Sequence, residues 1–384
     1  MRTLKTGIIG IGNMGSVHAK TIISGDIDGM ELAAVADLDQ ARRQWAKENL
    51  PETVQIYEDA HQMMDQEGLE AVIVAVPHYD HAPLSIAALK RNLHVMCEKP
   101  VAVTTKQARE MQEAADASKA IFAVMFNQRT SPLYMKAKAL IDSGELGPMK
   151  RTSWIVTDWY RSQSYYDSGN WRATWAGEGG GVLLNQCPHN LDLWQWICGM
   201  PVRVSAFCQE GRWHDIEVED DVTAYVEYEN GATGTFITST GDAPGTNRLE
   251  IVCDGGKLVA EKGSLTLYRL EMPESEFSAT YKGGFGEPKH TVEELDVSGE
   301  NPQHSGVLRA FTKAVLEGTP LTADGREGIR GLSLSNAMHL SSWLGRMVEL
   351  PVDEALFEQE LAKKVSQSKK KSGTSETLSV EGTY

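Results

Sequence analysis

Three short runs hold residue types that can do chemistry together. Gly10-Ile11-Gly12-Asn13-Met14-Gly15 has the GxGxxG spacing. Glycines at those three places let a backbone turn tightly, approach a pyrophosphate and open a helix whose N-terminal N–H groups face the anion. Asp37 stands twenty-two residues after Gly15, where a carboxylate accepts hydrogen bonds from an adenosine ribose and repels a 2′-phosphate. That favours NAD over NADP, although Arg42 and Arg43 follow one helical turn beyond. The bland alternative for the glycines is a simple tight turn.

The second run, Cys97-Glu98-Lys99-Pro100, ends an apolar strand and sets a charged pair at the carboxyl edge of a parallel sheet, where such folds bind ligands. The third is His189-Asn190-Leu191-Asp192. Pro188 suits the first turn of a helix, so His189 falls near the N-terminus, where the dipole disfavours imidazolium and leaves a neutral ring able to accept a proton. A core histidine bonded to a backbone carbonyl is the plainer reading. Asp192, one turn on, is placed to orient that ring, to hold a substrate hydroxyl, or to sit solvated on the helix. Between 154 and 175 come Trp154, Trp159, Tyr160, Tyr165, Tyr166, Trp171 and Trp175, with Arg161 and Arg172 among them. Aromatic faces pack on the CH-rich faces of sugar rings while polar neighbours select hydroxyls; an aromatic subunit interface is the alternative. Asn127 and Gln128 lie where a side-chain amide could meet a nicotinamide carboxamide or a sugar hydroxyl.

These runs need elements to hold them. LKTGIIGI, ELAAVAD, VQIY, EAVIVAVP, HVMCEKP and IFAVMF read as strands, and the segments between them as helices, near 16 to 25, 39 to 49 and 59 to 66 and at HAPLSIAALKRN and TKQAREMQEAADASK. Such alternation predicts an α/β, doubly wound parallel sheet over 1–125. From about 150 the strands lengthen and alternate, with turn signals at Asn230-Gly231 and Asp254-Gly255-Gly256. Residues 126–362 therefore read as an α+β domain, an antiparallel sheet with helices at NLDLWQWICG, 302 to 317 and 325 to 346 on one face. Residues 363–384, rich in Lys, Ser, Gly and Thr, read as a mobile tail.

Composition narrows the partners. A formal net charge of −16 argues against a nucleic-acid backbone. No apolar run of about eighteen residues could span a bilayer, and MRTLKTGIIGIGNMG lacks the pattern of a signal peptide, so a cytoplasmic protein is expected. Five cysteines, scattered and never in a CxxC pair, predict reduced thiols and no metal, with Cys187 beside His189 read as packing.

Taken in order, the motifs resemble those of the Gfo/Idh/MocA oxidoreductase family over roughly residues 4 to 350. The GxGxxG turn, Pro77-His78-Tyr79-Asp80-His81 as the Pro-x-x-x-His segment, Glu98-Lys99-Pro100, and Gly179-Gly180-Gly181 leading to His189 and Asp192 all occur. The resemblance implies that Lys99 lies beside the nicotinamide and the reacting hydroxyl, that Pro100 follows a cis peptide bond, and that His189 exchanges the hydroxyl proton. A lysine near a cationic nicotinamide and shielded from water should have a lowered pKa, which suits that place. It further implies that the glycine turn, Asp37, Pro77, His78, His81, Glu98, Asn127, Trp171 and Arg172 surround the cofactor. Gln128, Tyr160, Tyr166, Arg172, Asn185, His189 and Asp192, with Lys99, would face the substrate, and the chain would form a homodimer or homotetramer. One departure stands out: many dehydrogenases of the family carry an aspartate four residues before the histidine, and this chain has Asn185. The expected function is NAD-dependent oxidation of a secondary hydroxyl of a sugar, polyol or glycoside. A glycoside hydrolase with transient oxidation and a non-catalytic nucleotide sensor are the other classes weighed; a sensor has little reason to keep Lys99 and His189 together.

Overall fold

A computed structural model describes residues 2–369. The first half runs β1 (Leu4–Ile9), α1 (Asn13–Ile23), β2 (Met30–Ala36), α2 (Gln40–Asn49), β3 (Gln55–Tyr57), α3 (Ala60–Met64), β4 (Ala71–Val74), α4 (His78–Lys90), β5 (His94–Cys97), α5 (Thr105–Asp116) and β6 (Phe122–Val124). Its strands pair in parallel in the order β3-β2-β1-β4-β5-β6. The order reverses between β1 and β4, and the carboxyl ends there open the crevice in which such sheets take a dinucleotide. Local chemistry fixes the helix starts. Asp39 and Asp59 cap α2 and α3, and Thr104 with Gln107 forms a capping box on α5.

A 3-10 turn (Asn127–Thr130) and α6 (Pro132–Asp142) lead into the second half. There follow β7 (Met149–Val156), α7 (Gln163–Asp167), α8 (Pro188–Cys198), β8 (Arg203–Glu210), β9 (Glu219–Glu227), β10 (Thr233–Ser239), β11 (Asn247–Cys253), β12 (Gly256–Glu261) and β13 (Ser264–Leu270). Then come α9 (Glu274–Thr280), β14 (His290–Leu295), α10 (Gln303–Glu317), α11 (Gly328–Leu344), β15 (Val348–Glu349) and α12 (Glu354–Gln367). The nine strands run β14-β13-β12-β11-β7-β10-β9-β8-β15. The sheet is antiparallel as expected except at its centre, where β10 pairs with β7 in parallel. α8 and α11 bury one face, while Ile155, Phe207 and Tyr225 stand exposed on the other.

Two expectations change. The helix at 302 to 317 does not cover the antiparallel sheet: Val307, Leu308 and Phe311 of α10 pack with Leu4, Ile8 and Ile11 against the parallel one. An amphipathic stripe says that a helix has a core face, not which core takes it. The start of the segment expected as a tail from 363 is helical. α12 continues to Gln367 with Leu361 buried, and Lys369 N–H donates to Glu217 at 2.6 Å; the rest of that segment lies outside the described residues.

Candidate active site

The glycine turn has the shape its spacing predicts. Gly10 sits at φ +89°, and a Cβ there would lie 2.5 Å from the Ala75 carbonyl oxygen, while a Cβ on Gly15 would meet the Gly10 oxygen at 1.8 Å. At Gly12 a Cβ would meet nothing within 4 Å, and no side chain caps α1 there. Open space thus faces the uncapped first turn carrying Asn13 and Met14, a cradle that fits the pyrophosphate of a dinucleotide. Asp37 accepts the Ile11 N–H at 2.7 Å and the Asp39 N–H at 2.8 Å, so it braces the turn as well as facing it. Arg43 is occupied, donating to the Asp37 and Leu38 carbonyls and pairing with Glu58.

Pro77 caps α4, and His78 beyond it donates from Nδ1 to the Glu178 carbonyl at 3.0 Å. Both ring nitrogens of His81 face carbonyls, of Pro100 at 2.6 Å and Val76 at 2.8 Å. His81 therefore clamps the loop after β4 to the Glu-Lys-Pro turn. Glu98 is buried against His18 at 2.6 Å. Burial works to raise its carboxyl, but the hydrogen bond and charge of His18, with the charges of His304 and Lys99, together outweigh it and hold it at about 2.

The Lys99-Pro100 bond is cis. Lys99 Nζ donates to the Asn185 carbonyl at 2.8 Å. Burial draws its pKa down, with Arg172 and Arg161 adding to the effect and Glu98 and Glu178 opposing it. His189 is 8% exposed; burial, then the Lys99 and His304 charges, push it down to about 3. The ring is thus neutral at any physiological pH, and its Nδ1 has no partner among the described residues.

The loop ahead of α8 is fixed by a buried carboxylate, Glu219, which accepts the N–H groups of Gly181 and Leu183. Trp171 packs its edge on His78 at 5.5 Å, and Arg172 lies over the rings of Trp171 and Tyr165, which joins the loop to the nucleotide side. Asn185 donates from Nδ2 to Glu178.

His189 lines a cavity of about 170 Å³ with Gln128, Asp158, Trp159, Arg161 and Asn190. For scale, a cavity of about 150 Å³ admits benzene, so one six-membered ring fits. Trp159 and Tyr134 supply ring faces, and Trp159 Nε1 donates to Asn190 at 3.0 Å. Asp158, its pKa raised by burial, accepts from Asn247 at 3.1 Å.

Of the eight residues expected to face the substrate, Gln128 and His189 line this cavity, and Lys99, Tyr160, Tyr166, Arg172, Asn185 and Asp192 do not. Asp192 is fully buried in a two-pronged pair with Arg129, both contacts at 2.7 Å; it holds helix to connector and reaches neither His189 nor the cavity. Tyr166 is buried, with its hydroxyl on Thr240 at 2.7 Å, and Tyr160 is half exposed; neither lines the cavity. Asn127 donates to Gln303 at 2.6 Å at the start of α10, and its Oδ1 is buried without a partner among the described residues. Sequence reasoning passed over Glu178, Asp158, Arg129, Asn247 and His304. Asp158 adjoins an aromatic run already singled out, and Glu178 adjoins the triple glycine; the others carry no local signal.

Comparison with known proteins bears on the whole arrangement. The oxidoreductase family model for the NAD-binding Rossmann fold matches residues 4–126, and that for the GFO/IDH/MocA C-terminal domain matches 134–259. Inositol 2-dehydrogenase of Salmonella typhimurium is 36% identical over 146 residues, 38% of this chain and 43% of its own length, so the match spans less than half of that relative. Myo-inositol 2-dehydrogenase of Thermotoga maritima is 25% identical over 90% of this chain and 98% of its own. Among solved structures, the WlbA dehydrogenase of Chromobacterium violaceum, in complex with NADH and UDP-GlcNAcA, superposes with a TM-score of 0.79 at 27% identity, covering 92% of this chain and 97% of that one. Levoglucosan dehydrogenase shares the fold, with a TM-score of 0.76 at 20% identity over 91% of this chain and 100% of that one.

Proposed function

The chain belongs to the Gfo/Idh/MocA oxidoreductase family, and from that premise we propose that it is an NAD-dependent dehydrogenase of a ring-shaped polyol, sugar or glycoside, oxidising a secondary hydroxyl. One arrangement carries the reading: His189, a neutral histidine, lines a cavity that takes a single ring and is edged by hydrogen-bonding side chains, and the charge of Lys99, a lysine of lowered pKa, acts on that histidine. The inositol dehydrogenases among its relatives and the NADH in the WlbA complex support the same class.

NAD, when bound, supplies the hydride acceptor, and the open space at Gly12 with the Asp37 carboxylate would hold its pyrophosphate and ribose. The protein's own work is then with the proton and the ring. His189, neutral and short of a partner, accepts the hydrogen bond of the reacting hydroxyl. Lys99, desolvated and fixed by the Asn185 carbonyl, exchanges the proton and polarises the carbonyl that forms. Trp159 and Tyr134 pack on the ring, while Asp158, Arg161, Asn190 and Gln128 sort its hydroxyls. We assign the protein to the cytoplasm, and we assign the exposed face around Phe207 and Tyr225 to contact between subunits of a homodimer or homotetramer.

The test is NADH absorbance with NAD and a panel of inositols, free sugars and glycosides, alongside NADP and a Lys99→Ala control. Turnover on one ring class with NAD, lost in the variant, is expected. Glycoside cleavage without net NADH would overturn the dehydrogenase in favour of a hydrolase.

A further inference from the structure

Asn185 stands where the family resemblance leads one to expect an aspartate, and an amide brings no charge. The site nevertheless has a buried carboxylate at that place. Glu178, 2% exposed, accepts from Asn185 Nδ2 on one oxygen and from the Ala173 N–H at 2.5 Å on the other. Two accepting oxygens are the pattern of an ionised carboxylate. Among the described residues no cation lies within ion-pair distance of it; at longer range it faces Arg172 and Lys99, with Glu219 and Tyr166 also near. Burial raises its pKa, while Arg172 and the two hydrogen bonds draw it back.

We infer that Glu178 is a positioning residue for Lys99: with Asn185 it forms a two-residue replacement for the missing aspartate. The charge resides on 178, and the Asn185 amide ties it to the residue whose main-chain carbonyl receives the Lys99 ammonium. The inference rests on the proposed role of Lys99 and goes beyond it, since it assigns a buried carboxylate that helps to hold that lysine in place as an ammonium. Burial is the largest influence and favours the free amine, as do Arg172 and Arg161, while Glu98 and, less strongly, Glu178 favour the ammonium; His78 and His189 also feel its charge. Removing Glu178 tips the balance towards the free amine.

The experiment reads Lys99 directly. Acylation of the full chain by acetic anhydride, resolved at Lys99 by mass spectrometry across pH, gives the midpoint of the amine without any need for turnover. In Glu178→Gln the Asn185 amide can turn over and accept from the new amide, so the packing survives while the charge is lost. The midpoint then falls, and the pH limb of kcat/KM that Lys99 governs moves down with it, with KM for NAD little changed. The exchange variant E178Q/N185D carries the charge on 185, the residue whose main-chain carbonyl receives the lysine, and returns the midpoint and the pH limb to the wild-type values or above. A midpoint unmoved in both variants overturns the inference whatever the turnover. A moved midpoint in a wild-type protein that oxidises no ring substrate upholds it and sinks the dehydrogenase reading instead. Should E178Q fail to fold, the exchange variant decides alone, a midpoint below wild type being the adverse result.

Discussion

The nucleotide side and the substrate side of this crevice are built by different means. On the nucleotide side the working parts are backbone: a turn that only glycine can make at Gly10 and Gly15, an uncapped helix start at Gly12, and one carboxylate, Asp37, within the same βαβ unit. On the substrate side the working parts are side chains drawn from distant segments: Arg129 with Asp192, Asp158 with Asn247, Glu178 with Asn185, Lys99 on the Asn185 carbonyl. A backbone device tolerates almost any neighbours but no change of its own residues. A side-chain device is open to exchange by parts, as a glutamate and an asparagine in place of an aspartate illustrate.

The sharpest way to break the second kind is to leave a buried charge alone. Asp192→Ala strands Arg129, whose other partners are Glu327 and the ring faces of Phe126 and Trp196, and should cost about 3–5 kcal/mol in a urea titration. A loss below about 1 kcal/mol would mean that the pair does not bind the connector to α8. Next in size, Lys99→Ala should lower kcat by on the order of 10³-fold while the protein still binds NADH. The pH profile sharpens the assignment. Oxidation must deliver a proton, so kcat/KM rises with pH through the pKa of the accepting group. His189, held at about 3, gives no limb near 6.5, and the limb should be that of Lys99, lowered from its ordinary value. A rise centred near 6.5 that survives in the lysine variant would hand the proton to histidine.

Smaller effects test the nucleotide side. Asp37→Ser should raise KM for NAD by about tenfold through lost ribose hydrogen bonds and narrow the preference over NADP. An unchanged preference would place the discrimination elsewhere. Smallest of all, Tyr160→Ala should leave kcat/KM within about twofold, because a half-exposed ring outside the cavity has little to lose; a drop of tenfold would bring that ring back to the substrate.

The same division explains what could be read in the sequence. The parallel sheet, the glycine turn, Asp37 and the placement of His189 at a helix start all depend on residues close in the chain, and spacing carries them; the cis bond before Pro100 comes from the family resemblance alone. The partner of Asp192 lies sixty-three residues away, so helix periodicity could offer three roles for it and decide none. Tyr166 and Tyr160 were grouped with Trp159 by proximity in sequence, yet the segment turns them to a buried hydroxyl contact and to solvent. The apolar stripe of α10 likewise fits either core, and only the folded chain settles it on the parallel sheet.

Asp37 ends with a lesson for cofactor engineering. The carboxylate proposed to meet the ribose also, through the Ile11 N–H, holds the glycine turn in place. A lineage drifting towards a phosphorylated cofactor could not simply discard it, since the substitution that admits the extra phosphate also frees a turn that every dinucleotide needs. The first step on that path is a loss for both cofactors, and selection would cross it only with a second change ready to take up the Ile11 amide.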